Sequence, residues 1–155
     1  MGEILFRGKR VDNGEWVEGS LITDVFYRVG EGNKNSIPYI LSVSGIDYDS
    51  WEDLDDDYGL YEVDPDTVGQ YTGLTDKNGK KIFEGDIIKI FPDCDYLDDY
   101  DISKVYSYNG IFCVDYHVDD FDSTALGFLE SYIPDCAFEI IGNIHDNPEL
   151  LEVRE

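Results

Sequence analysis

Apolar positions in this chain fall in short runs rich in β-branched and aromatic residues, and three of the breaks between runs are Asn-Gly pairs. Residues 3 to 23, EILFRGKRVDNGEWVEGSLIT, hold two such runs around Asp12, Asn13 and Gly14. An Asn-Gly pair between strand-like runs is a strong short-range hairpin signal, because these residues tolerate the positive φ that tight turns need. The same pattern recurs in TGLTDKNGKKIFEGDIIKI, residues 72 to 90, turning at Asn78 and Gly79. It appears again in ISKVYSYNGIFCVDYHV, residues 102 to 118, turning at Asn109 and Gly110. Between these hairpins, IPYILSV from 37 to 43 and GLYEV from 59 to 63 read as strands, so the pattern predicts a meander of antiparallel strands.

Helical periodicity is sparse. In STALGFLESYI, 123 to 133, Leu126, Leu129 and Ile133 recur at spacings of three and four before Pro134, which predicts one short helix. Near the end, Asn147 is placed to cap a single terminal turn and Pro148 to occupy its first position. The expected fold class is therefore mainly β, with one or two short helices near the C-terminus.

The stretch from Thr72 to Ile90 carries glycine, aspartate and lysine at close spacing, which invites a ligand-loop reading. A phosphate-binding loop needs a glycine five positions before its Gly-Lys pair and a hydroxyl after it; position 74 is Leu and Lys80 is followed by Lys81. A calcium loop could begin at Asp76 and Asn78, but Gly79 arrives too early and no Glu closes the loop. The architectural reading accounts for more residues. Asp76 to Gly79 form a turn, Ile82 and Phe83 start the return, Gly85 and Asp86 break it, and Ile87, Ile88 and Ile90 form a buried strand with Lys89 facing water.

Composition sharpens this picture. The 155 residues fit one domain, or two small units, and 42% hydrophobic with 14% aromatic content is enough for a core despite a formal net charge of -24. Cys94, Cys113 and Cys136, 19 and 23 positions apart, match neither a zinc knuckle nor an even disulfide framework, so free thiols are expected. No apolar run approaches the roughly 18 residues of a membrane span, and the start MGEILF has no secretory pattern and places Phe6 where a myristoylation signal needs Ser or Thr.

Three separated segments carry a family resemblance: ILFRGKRVDNGEWVEGSLI near the start, YEVDPDTVGQYTGLTDKNGKKIFEGDIIKI over 61 to 90, and FEIIGNIHDNPELLE near the end. Together they resemble the YopX family of phage and prophage proteins, in the family's own order. The resemblance implies a single YopX-like domain over 1 to 155, with an N-terminal sub-domain at 1 to 64 and a small SH3-like barrel at 65 to 147. It also implies action in the bacterial cytoplasm, and it brings no catalytic residues to carry over. Departure from the family pattern is greatest at 45 to 58 and 92 to 104.

Those two regions hold the densest acids. Asp53, Asp55, Asp56 and Asp57 lie between Trp51 and Tyr58, and Asp98 and Asp99 precede Tyr100; these nine residues form the candidate partner-binding surface. A third acidic run holds Asp115, Asp119, Asp120 and Asp122. Binding to nucleic acid through a basic patch is disfavoured, because such contacts need a positive footprint to displace counterions. The bland reading of the acids is a solvated face that keeps the chain soluble. The sharper reading is mimicry, in which carboxylates stand in for DNA phosphates in the basic groove of a host nuclease or DNA-binding protein. A small metal-dependent hydrolase is a third reading. It lacks an accompanying His cluster, since His117 and His145 stand apart and the sequence pairs neither with a serine or cysteine nucleophile. The expectation is a non-enzymatic module without cofactor or metal, binding a host or phage protein, and open to homo-oligomer formation.

Overall fold

The computed structural model describes residues 2–23, 37–42, 59–92, 98–116, 124–127 and 138–152. These residues are mainly β, in antiparallel sheets. The chain divides into two compact units, Glu3–Gln70 and Tyr71–Glu155.

In the first unit, β1 (Phe6–Lys9) pairs with β2 (Trp16–Ile22), β2 with β3 (Tyr39–Leu41), and β3 with β4 (Leu60–Glu62). A 3-10 turn at Pro65–Thr67 follows, capped by the Asp64 carboxylate, which accepts from the Asp66 N–H at 3.0 Å. The next strand, β5 (Gly69–Thr75), begins against β1, with Phe6 opposite Gln70 and Arg7 opposite Gly69. Alternation along β2 buries Val17 and Gly19, and Val17, Ile40 and Val63 form the core with Phe6, Leu21, Tyr61 and Val68 around them. Gly19 is required by close approach: a Cβ there would stand 2.0 Å from the Leu41 carbonyl oxygen.

In the second unit, the rest of β5 pairs with β6 (Lys81–Phe83). A sheet of β7 (Asp86–Ile90), β8 (Asp101–Lys104) and β12 (Phe138–Asn143) has β7 in its centre. A third sheet has β10 (Ile111–Val114) between β9 (Tyr106–Tyr108) and β11 (Thr124–Ala125). Ile82, Ile88, Ile90, Val105, Val114, Leu126 and Phe138 form the core. As expected, β7 buries Ile87, Ile88 and Ile90; Lys89, expected to face water, is instead half-buried, with its Nζ over the Tyr100 ring. Ile141 is an extra residue in β12, because Ile140 faces Ile88 while Gly142 faces Ile87. Among the described residues each sheet has two open edges, and none closes into a barrel.

All three Asn-Gly hairpins form, but with three different turns. At Asn109 and Gly110 both residues have positive φ, 51° and 79°, the two-residue turn that matches strand twist. At Asn78 and Gly79 the Asp76 N–H meets the Lys80 carbonyl, closing a three-residue loop in which only Gly79 is left-handed. At Asn13 and Gly14 the closing bond runs from the Arg10 N–H to the Glu15 carbonyl, so four residues lie in the loop. Asn13 there uses its side-chain oxygen to accept from the Glu15 N–H at 2.9 Å.

The expected helices need correction. Thr124 and Ala125 form β11, paired with Val114 and Cys113, where the spacing predicts the first turn of a helix over 123 to 133. Leu126 and Gly127, where the leucine spacing begins, are helical, and positions 128 to 133 lie outside the described residues. The terminal turn is a 3-10 segment, Pro148–Leu151, with Pro148 at its first position as expected; the Asn147 side chain makes no capping bond.

Candidate partner-binding surface

Of the nine candidate residues, Trp51, Asp53, Asp55, Asp56, Asp57 and Tyr58 lie outside the described residues, and Asp98, Asp99 and Tyr100 lead into β8. Asp98 and Asp99 are exposed, and Tyr100 is 40% exposed. The Tyr100 ring meets the buried Phe91 edge-on at 5.9 Å, and the Lys89 Nζ lies 4.1 Å from its centroid. On the Phe91 ring sits the Lys77 Nζ, 4.9 Å from the centroid, and Lys77 also pairs with Glu139 at 2.8 Å. Two lysines thus flank a pair of touching rings next to Asp98 and Asp99 in the chain. Burial pushes the Tyr116 phenol above its ordinary range, and the charges of Asp101 and Asp99 add to that shift. The phenol stays neutral there, because a phenolate would be both desolvated and repelled.

The same arrangement recurs in the first unit. Arg7 and Lys9, two apart on β1 and so on one face, lie 4.8 Å and 5.6 Å from the Trp16 ring. Arg10 lies 4.1 Å from the Tyr61 ring and grips Asp12 through two bonds of 2.9 and 2.5 Å. Those bonds from Arg10 hold the Asp12 carboxyl below its ordinary value. With Lys81 over Tyr71 and Lys104 over Tyr106, seven of the eight described lysines and arginines face an aromatic ring. Sequence reading missed this because most of the pairs are set by strand register rather than by linear spacing; Lys9 opposite Trp16 is the one that hairpin registration could have revealed.

Two acids inside the Thr72–Ile90 stretch are structural. Asp76 is 5% exposed, and its Oδ1 accepts from the backbone N–H groups of Asn78 and Lys80 at 2.8 and 2.9 Å. Its Oδ2 accepts from the Ile140 N–H at 3.2 Å, which ties the turn to β12. Burial opposes ionisation of Asp76, but the Lys80, Ile140 and Asn78 donors outweigh it and hold the carboxyl below its ordinary value. Asp86, 1% exposed, accepts from the Phe83 N–H at 2.8 Å and so closes the turn at Glu84 and Gly85.

No group of three or more metal-ligating side chains occurs among the described residues. His145 sits in a turn whose Asn143 side chain accepts its backbone N–H, and His117 lies outside the described residues. Cys113 is a buried free thiol that donates to the Ile111 carbonyl at 3.6 Å; Cys94 and Cys136 lie outside the described residues. No helix among the described residues is long and apolar enough to cross a membrane.

Two solved structures resemble the chain over nearly its whole length. One is protein EF1440 from Enterococcus faecalis, at 24% identity and a TM-score of 0.53, covering 97% of this chain and 99% of that one. The other is protein yopX from Bacillus subtilis, at 22% identity and a TM-score of 0.54, covering 97% and 98%. At such identities the likeness speaks to the fold. No curated protein matches the chain significantly. The model of the YopX protein family matches residues 5–152, spanning both units and the motifs quoted from each, and the chain belongs to that family.

Proposed function

We propose that this chain is a phage- or prophage-encoded protein that acts in the bacterial cytoplasm by binding a macromolecular partner through its acidic surface, with no catalysis of its own. The observation that carries this reading is the disposition of charge. Aspartate and glutamate number 35 against 11 lysines and arginines, and seven of the eight described cations lie against the protein's own rings while Asp98 and Asp99 face solvent. The outward field is therefore dominated by carboxylates, which draw in a basic surface and repel nucleic acid. An SH3-like barrel belongs to this reading; short antiparallel strands, tight turns and the bulge in β12 favour it.

A narrower form is a mimic of DNA phosphates that blocks a host nuclease or DNA-binding protein. The exposed pair Asp98 and Asp99, with the Tyr100 ring beside it, supports that form by offering charge and contact area together. Affinity purification from bacterial lysate at low and high salt, with mass spectrometry, tests both. The reading expects basic proteins captured at low salt and released at high salt. Capture that ignores salt counts against it, and a partner set without DNA-binding proteins removes the mimic.

A further inference from the structure

The tip of the β9–β10 hairpin carries two large apolar side chains in water. Tyr108 is 67% exposed and Ile111 is 54% exposed. They are cross-strand partners immediately flanking the Asn109–Gly110 turn, so both project from the same face. Single exposed hydrophobics are ordinary, but here two are adjacent at the end of a firmly rooted finger. The turn is the tight two-residue form. Lower in the hairpin, Cys113 and Val114 are buried, and β11 pairs with them.

Carboxylates are fixed at the base on either side. The Ser107 hydroxyl donates to Glu84 Oε1 at 2.7 Å, and the Tyr106 hydroxyl donates to Asp115 Oδ1 at 3.0 Å. Lys104 lies 5.8 Å from the Tyr106 ring and adds a cation at the base. An apolar centre on a preorganised tip with charged shoulders has the anatomy of a docking anchor, in which the buried side chains supply affinity and the rim supplies orientation.

We propose that Tyr108 and Ile111 insert into an apolar socket rimmed by Lys or Arg on a partner protein. Charge complementarity selects that occupant: a second copy would bring its own net charge of -24 against this one, and nucleic acids and anionic lipid are repelled likewise. The inference rests on the acidic-surface reading above and adds the element that makes the contact.

The probe is a displayed library of random short peptides, selected on the full chain and on the variant Tyr108→Thr, Ile111→Thr, whose replacements keep strand propensity. Selection on the full chain is expected to enrich peptides whose apolar side chains pack around Tyr108 and Ile111, with Lys or Arg flanking them. The variant should bind them about tenfold or more weakly with its melting temperature unchanged. On the unaltered chain, NMR shifts induced by an enriched peptide should centre on residues 106–113, which keeps the test valid should the variant misfold. Enriched basic peptides that bind both proteins equally and shift other residues would overturn the hairpin proposal and leave the acidic-surface reading standing. No enrichment of Lys or Arg would overturn both. A concentration-dependent dimer lost in the variant would assign the tip to self-association and overturn the proposal.

Discussion

Replacing Asp76 removes the anchor of the second hairpin, and the loss can be worked from its three bonds. The Asn78 and Lys80 N–H groups lie in exposed positions, where water replaces the carboxylate at a cost of about 0.5 to 1 kcal/mol each. The Ile140 N–H lies in half-buried β12 beside the bulge, and leaving it without an acceptor costs about 1 to 3 kcal/mol. Asp76→Ala is thus expected to lose about 2 to 5 kcal/mol, which at a slope of about 2 kcal/mol per M moves the urea midpoint down by about 1 to 2.5 M. Asp76→Asn keeps the volume but presents an amide donor to one of the backbone donors, and should lose about 2 kcal/mol.

The pH dependence gives a second handle. The Asp76 carboxyl is held below its ordinary value in the folded chain. Its contribution is therefore complete above the unfolded value of about 3.9 and disappears as pH falls through the lower folded one. Urea titrations of the natural chain and Asp76→Asn across that range should show a gap at neutral pH that narrows on acidification. A gap below about 0.5 kcal/mol at neutral pH, or one that stays constant into acid, would refute the assignment.

Other positions separate strong from weak effects. Gly19→Ala places a Cβ against the Leu41 carbonyl and should cost about 3 kcal/mol or more, seen as loss of cooperative unfolding in the first unit. Gly110→Ala meets no neighbour but keeps a φ of +79°, so thermal melting should report a loss of about 1 kcal/mol. Lys77→Met retains the stem over Phe91 and removes the half-exposed pair with Glu139, and denaturation should detect less than about 1 kcal/mol.

The hairpins were legible because Asn-Gly pairs and alternation act locally, and β7 was legible because a run such as DIIKI has few alternatives once Gly85 breaks the chain. The turn types were not, since loop length depends on which residues close the ladder: Arg10 with Glu15 in one hairpin, Asp76 with Lys80 in another. Periodicity misread Thr124 and Ala125, because pairing with Cys113 and Val114 overrides a helical spacing that begins at Leu126. At the candidate surface, the acids of 98 to 100 were visible from composition. The Lys89, Tyr100, Phe91 and Lys77 grouping depends on the folded arrangement of β7, β8 and the Asp76 turn, which no linear spacing encodes.

The proposed role of this YopX-family chain is to present carboxylates to a basic partner. The most direct measurement is the affinity of a captured partner as a function of salt concentration, by titration calorimetry. The account predicts an affinity that falls steeply and continuously as salt rises, and falls further when Asp98 and Asp99 are changed to Asn. An affinity indifferent to salt and to those two substitutions would contradict it.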